Sequence, residues 1–560
     1  MTPPPFRVSP GPLTVSYDRM CTRLADAAFA EALWARQLEV WTSDRGTQEK
    51  IGNRLGWLTA IDAVAPQLAR LRATADSIRG SSPTDIVLLG MGGSSLAPEV
   101  LRQVLGVAPG YPRFRMLDSV DPDAVRDALS HAATSVFIEA SKSGSTIEPT
   151  VMAAEARARI IASGEPNWGS RFVAITDPGT DLHRRAVANG YRDVFVNPPD
   201  IGGRFSALSL FGMVPAALMG ADVGGILAHA REMETACRGT RVGTNPGLAL
   251  GAFMAAGAAD GRDKLTLLLH PRLASFGLWV EQLVAESTGK QSKGVVPIAG
   301  EAADASLGSD RAVVAVSLAG EPPLPSLESI RASGLPLVEI DVPDVTAIGA
   351  EFLRWEVATA AAGQLMGINP FDEPNVSEAK EATSGLLNSY ETTGELPGGA
   401  PDDHIEGAAL TLSTAARESL HGRAAGQFLQ LLRSGDYFAL LAYLPPDREP
   451  FHAALQQIRS SIGAAFGCAT MFGYGPRYLH STGQLHKGGA DNGVFVIVTA
   501  PPDSDLPIPD RPYSFGVLEM AQALGDFTSL DRKGRRALHV HLPKRDAGML
   551  RRVFEQLASS

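Results

Sequence analysis

Two short stretches place small and hydroxyl-bearing residues where a chain could grip an anion. In "LLGMGGSSLAPEV", Leu88 to Val100, an apolar run enters three glycines and two serines, with Gly93 and Ser94 at the bend. In "EASKSGSTIEP", Glu139 to Pro149, the hydroxyls of Ser141, Ser143, Ser145 and Thr146 surround Gly144, with Lys142 among them. A glycine turn after a strand lets backbone N–H groups approach an anion, and the helix that follows adds its positive end. The first stretch departs from the dinucleotide fingerprint, because Ser95 holds the position of its last glycine, and it has no Gly-Lys-Ser/Thr triplet. A smaller anion suits it better, such as a sugar phosphate. Either stretch alone also fits a plain turn or a helix N-cap with spare serines. Their recurrence favours phosphate, whose oxygens accept many hydrogen bonds at once.

Both stretches need strands to carry them. The runs "TDIVLLGMGG", "RFRMLDS", "SVFIEAS", "RFVAITD" and "DVFVNPP" read as short buried strands, with helical patterns such as "PTVMAAEARARIIAS" and "DLHRRAVANG" between some of them. That alternation predicts a parallel sheet covered on both faces. An alanine-rich helical region, 202–260, precedes a second alternating set, "KLTLLLHP", "RAVVAVSL" and "LPLVEIDV". "YFALLAYLPP", "NGVFVIVTAPP" and "ALHVHLP" open a third. Residues 1–15 read as an extended proline-rich arm, 17–76 as helices, and 392–406, rich in Gly, Pro and acidic residues, as a linker or excursion. The expected units are an N-terminal arm with helices (1–76), a first α/β subdomain (77–235), a second (236–391) and a C-terminal α/β region (392–560).

At 560 residues the chain exceeds one core, and its 44% hydrophobic and 20% charged content is that of a globular protein. A formal charge of -11 argues against nucleic-acid or anionic-membrane partners, so an anionic substrate needs a local positive pocket. Cys21, Cys237 and Cys468 are too scattered for a disulfide framework or metal cluster, and suit a reducing compartment. The start "MTPPPFRVSPGPL" is too rich in proline for a signal peptide, and no run is long enough to span a membrane. A cytoplasmic protein without metal or organic cofactor is the expectation.

Read in order, "GMGGSSLAP", "SKSGSTIEP", "GGRFSALSLFG" (Gly202 to Gly212), "ESTGK" (Glu286 to Lys290), "GINPFDEPNVSEAK" (Gly367 to Lys380) and "LHSTGQLHKGG" (Leu479 to Gly489) resemble the phosphoglucose isomerase family. The likeness is greatest to members related to the isomerase half of transaldolase/phosphoglucose isomerase fusions. It implies an α/β fold of two SIS-type subdomains, each a parallel sheet flanked by helices, with an N-terminal helical arm and a C-terminal α/β extension. It also implies glucose 6-phosphate and fructose 6-phosphate as substrates, and commonly a dimer; association with a transaldolase stays open. Aldose-ketose isomerisation needs a base that moves a proton between C2 and C1, groups that stabilise the enediolate, and an acid/base that opens the ring. The resemblance implies Glu286 as the base, Arg204 facing the enediolate oxygens, Lys380 near the ring oxygen, and Gln282, one helical turn before Glu286, touching substrate. It places Gly93, Ser94, Ser141, Lys142, Ser143 and Thr146 at the phosphate.

Two features depart from the family pattern. Glu373 stands where the family has glutamine in "NPFDQP", adding a negative charge at a substrate contact. No histidine occurs between His270 and His404, where the ring-opening histidine is expected; the matching motif comes after the lysine motif. We assign His480 to ring opening, with Glu148 as its orienting carboxylate and His486 as the rival. His539 and His541 would share one strand face and lack a third metal ligand, which favours a structural reading. A non-catalytic sugar-phosphate sensor and an isomerase that also accepts mannose 6-phosphate are the alternatives. An amidotransferase would need an N-terminal cysteine, whereas the chain begins Met-Thr.

Overall fold

The computed structural model describes residues 5–301 and 307–559; the first four residues of the arm lie outside that range. The arm contributes strand β1 (Phe6–Ser9). Five strands follow: β2 (Asp85–Gly90), β3 (Arg113–Leu117), β4 (Val136–Ala140), β5 (Phe172–Thr176) and β6 (Asp193–Val196). They form one parallel sheet of order β3-β2-β4-β5-β6. Every residue of β2, β4 and β5 is buried, as expected of a sheet covered on both faces. Because β3 lies on one side of β2 and β4 on the other, the strand order reverses between β2 and β4. A crevice opens at the carboxyl ends of such a pair. The glycine turn and the hydroxyl turn leave the sheet from these two adjacent strands.

A second sheet joins β7 (Lys264–Leu269), β8 (Val296–Ala299), β9 (Arg311–Leu318) and β10 (Leu337–Val342) in parallel, with β1 antiparallel on the edge at β10. Helices Leu210–Leu218, Val223–Cys237 and Pro246–Ala259 fill the alanine-rich region, and apolar side chains of both sheets belong to one continuous core.

The third sheet is larger than the three strands read from the sequence. It contains β11 (Asp403–Ile405), β12 (Ala408–Leu412), β13 (Tyr437–Tyr443), β14 (Ala469–Tyr474), β15 (Gly493–Thr499) and β16 (Arg536–His541), in the order β11-β12-β16-β15-β13-β14. β11 and β12 form an antiparallel edge hairpin whose two turn residues, Glu406 and Gly407, both have positive φ, the geometry of a tight hairpin turn. The end of the expected linker is therefore a strand, and the stretch 394–402 carries no regular element. This sheet has its own core, including Leu410, Val496, Leu538 and Val553, and a second cluster joins it to Ala285, Val296 and Ile298. Helix Phe515–Arg532 packs against helix Val376–Thr393, and its Leu518 and Ala521 share a cluster with Val87 and Leu89 of β2. Through this helix the C-terminal region reaches the crevice of the first sheet.

Candidate active site

The glycines of the first turn are required by close approach. Gly92 has φ +53°, and a Cβ there would lie 2.9 Å from the His480 carbonyl oxygen and 3.1 Å from Gln282 Nε2. A Cβ on Gly93 would lie 1.9 Å from the Gly203 carbonyl oxygen. This turn therefore holds the Arg204, Gln282 and His480 segments against one another. Ser94 is buried within it, and its amide donates to the Met91 carbonyl at 3.0 Å.

In the second turn Ser141 Oγ donates to Thr146 Oγ1 at 3.2 Å and accepts from the Gly144 amide at 3.1 Å. Lys142 is committed elsewhere: its ammonium pairs with Asp177 and donates to the Pro199 carbonyl. Ser143, Thr146, Glu148, Lys380 and His480 line a common cavity of about 240 Å³. The sequence-predicted phosphate ligands thus divide. Ser143 and Thr146 line the cavity, whereas Ser141 shapes the turn and Lys142 is neutralised by a carboxylate.

Glu148 lies in the first turn of helix Ile147–Ala162 and His480 at the end of the short helical turn Arg477–His480. His480 Nε2 is 2.9 Å from Glu148 Oε1, across 332 residues of sequence. Burial pushes the Glu148 carboxyl up, but the adjacent His480 and the charge of Lys380 outweigh it and hold the group below its ordinary value. A third group completes this pair: Gln522 Nε2 donates to Glu148 Oε1 at 2.7 Å. Gln522 belongs to none of the motifs and was not visible as a site residue in the sequence.

Helix Phe276–Thr288 brings the second cluster. It is buried on nearly every side, and Gln282 and Glu286 lie on one face of it. Gln282 Nε2 donates to the His480 carbonyl at 2.8 Å and to Glu286 Oε2 at 3.3 Å, which ties the carboxylate to the histidine turn. Arg204 is 2% exposed and fully engaged. Its Nε donates to Ser287 Oγ at 2.8 Å, its Nη2 to the carbonyls of Pro370 (2.8 Å) and Asp372 (2.9 Å), and its Nη1 to Glu373 Oε2 at 2.9 Å. The same Nη1 is 3.3 Å from Glu286 Oε1. The unexpected Glu373 therefore shares one guanidinium with Glu286.

Burial pushes Glu286 up to about 7; Arg204 opposes the rise and Glu373 adds to it. Glu373 is also raised by burial, but its direct bond to Arg204 prevails and keeps it below its ordinary value. Lys290, the last residue of "ESTGK", donates to the Asn369 carbonyl at 2.9 Å and to Asp372 Oδ1 at 2.8 Å; burial, then Arg204, bring it down to about 8. A buried carboxylate poised near neutrality beside a fixed positive charge can accept a proton from carbon and return it.

The rival histidine is placed differently. His486 is buried among the rings of Tyr437, Tyr478 and Phe495, and neither of its nitrogens has a hydrogen-bond partner among the described residues. Burial, Lys487 and Arg535 push it well below its ordinary value. His539 and His541 both reach Thr499 Oγ1 at 2.8 Å, on the third sheet. Among the described residues no group of three or more His, Cys, Asp or Glu could hold a metal ion, and no helix is long and apolar enough to cross a membrane.

Comparison with known proteins bears on this geometry. Residues 61–309 match the phosphoglucose isomerase domain family. Glu148, Arg204, Gln282 and Glu286 fall within that domain; Lys380, His480 and Gln522 lie beyond it. The chain is similar to a glucose-6-phosphate isomerase of Prochlorococcus marinus, 30% identical over 357 residues, which cover 55% of this chain and 64% of the relative. A glucose-6-phosphate isomerase of Citrifermentans bemidjiense is 28% identical over 415 residues, 65% of this chain and 78% of its own length. The chain spans less than two thirds of the Prochlorococcus relative and 40% of a Parasynechococcus marenigrum one. The fold resembles that of a hypothetical protein of Thermus thermophilus (TM-score 0.58, 24% identity, 68% of this chain and 100% of that one). It also resembles a glucose-6-phosphate isomerase of Chlamydia trachomatis (TM-score 0.56, 17% identity, 67% of this chain and 86% of that one).

Proposed function

We propose that the protein is an aldose-ketose isomerase interconverting glucose 6-phosphate and fructose 6-phosphate through a cis-enediolate. The observation that carries this reading is the pairing of Glu286 with Arg204 beside the turn that bears His480, within and adjoining a phosphoglucose isomerase domain. Ser143 and Thr146 receive the phosphate in the hydroxyl-lined cavity. His480, oriented by Glu148, gives a proton to the ring oxygen as the C1–O5 bond breaks and then takes the C1 hydroxyl proton as the C1 carbonyl forms, with Lys380 on the same cavity wall. Glu286 then takes the C2 proton, the electron pair moves into the C1–C2 double bond, and Arg204 opposes the charge that develops on oxygen. A proton passes from O2 to O1, the electron pair on O2 forms the C2 carbonyl, and the C1–C2 π pair takes the proton back from Glu286 at C1, leaving the ketose.

Only side chains of this chain act in these steps. In this reading the four units bounded at residues 76, 235 and 391 belong to a cytoplasmic homodimer working alongside a transaldolase. A coupled assay on glucose 6-phosphate, fructose 6-phosphate and mannose 6-phosphate, with and without EDTA, tests the reading. Turnover of the first two that survives EDTA supports it; absence of turnover, or its loss with EDTA, refutes it.

A further inference from the structure

Helix Phe515–Arg532 carries a buried polar stripe where an apolar face is expected. Glu519, Gln522, Asp526 and Ser529 recur at helical spacing and are each at most 4% exposed. Two of them grip the neighbourhood of the histidine. Gln522 Nε2 donates to Glu148 Oε1, the oxygen that also meets His480 Nε2. One turn further, Asp526 Oδ2 accepts from Tyr478 Oη at 2.6 Å, and Asp526 Oδ1 pairs with Lys487 Nζ at 2.5 Å. Tyr478 and His480 share the helical turn Arg477–His480, whose other end is held by Arg477 on Asp118 at 2.7 and 2.8 Å.

The orientation of the Gln522 amide follows from its partner, since an ionised carboxylate only accepts and the nitrogen must face it. Its carbonyl oxygen is buried and has no partner among the described residues. The side chain therefore tolerates an unmade hydrogen bond at one end to keep the Glu148 contact at the other.

We infer that Gln522 is a positioning residue for His480, acting through Glu148. The inference rests on the proposed isomerase reading. A carboxylate held by one donor can swing about that bond, and the imidazole it orients swings with it; a second donor, fixed on a packed helix, removes that freedom. The charged and titratable groups facing the pair are His480, Lys380 on helix Val376–Thr393, Lys487 and Asp526 beside the cavity, and Tyr443 on β13.

Gln522→Leu and Gln522→Glu, each alone and in a Glu148→Gln background, test it by steady-state kinetics from pH 6 to 9 on the full chain. Gln522→Leu should lower kcat about tenfold with KM within about twofold, and should cost less than about twofold more once Glu148 is already Gln. Gln522→Glu sets a second carboxylate against Glu148; its activity relative to wild type should be lowest at pH 8 and above and recover towards pH 6, as one proton comes to be shared between the two acids. A wild-type rate in Gln522→Leu, or the same loss in both backgrounds, overturns the inference. If Gln522→Leu melts below assay temperature, Gln522→Glu decides alone, and a flat relative pH profile overturns it. A wild-type protein without isomerase activity fails the functional reading and takes the inference with it, whereas an active wild type with an indifferent Gln522 fails the inference only.

Discussion

Glu373 and Glu286 compete for Arg204 Nη1, and the charge of Glu373 adds to the rise in proton affinity that burial gives the proposed base. Glu286 must be unprotonated to accept the C2 proton, so with its value near 7 the log of kcat/KM should fall as pH drops below about 7. Glu373→Gln removes a neighbouring negative charge and frees Arg204 for Glu286. Both changes favour the carboxylate, so the acidic limb should move down by on the order of one pH unit; a pH profile of kcat/KM checks this. At His486, an imidazole buried among aromatic rings, with no hydrogen-bond partner among the described residues, gains nothing from its nitrogens. His486→Phe should keep near-wild-type turnover and an equal or higher melting temperature, while His480→Ala should slow turnover of the closed sugar by roughly 10²-fold or more. Glu286, Arg204, Lys380 and His480 were marked as candidates by their motifs. Gln522 was not, because its chemistry comes from a partner 374 residues away and no local pattern marks it.

At the scale of elements, the site depends on where two adjacent parallel strands leave their sheet. β2 and β4 were readable because each is a short, continuous apolar run entering small residues. β8, β11, β12 and β14 escaped notice because they are brief or are broken by Gly and Pro, and pairing with stronger neighbours makes up for weak local signals. The helix bearing Glu286 has no clear polar face, since both of its sides are covered; a buried carboxylate there reads as an exposed one until the fold is known. The Gly93 contact makes the turn intolerant of a side chain. Gly93→Ala must push the Gly203 carbonyl away from 1.9 Å, which should cost roughly 1–3 kcal/mol in a denaturant melt and displace Arg204, with at least tenfold lower activity.

Over the whole molecule, the proposed chemistry is assembled from distant parts of the chain. Glu148 comes from the first third, Arg204 and Glu286 from the middle third, and His480 with Gln522 from the C-terminal region that the family match does not include. The sequence pointed to α/β structure in that region but gave no sign that helix Phe515–Arg532 folds back onto the first sheet, because contact between remote elements leaves no periodic trace. The connection at 394–402 lacks regular structure, yet the helices on either side of the junction pack together through Leu387 and Leu518. A single proteolytic cut there should leave two fragments that co-elute and remain active; gel filtration with an activity assay checks it.

In the proposed reaction Glu286 carries one proton between C2 and C1. Glucose 6-phosphate deuterated at C2, converted in ordinary water by the wild-type protein and by Glu286→Gln, tests it most directly. Wild-type product should retain part of the deuterium at C1, and Glu286→Gln, folded as judged by circular dichroism, should be slower by roughly 10²- to 10⁴-fold in both conversion and loss of the C2 label. A Glu286→Gln protein that removes the C2 label at the wild-type rate would contradict it.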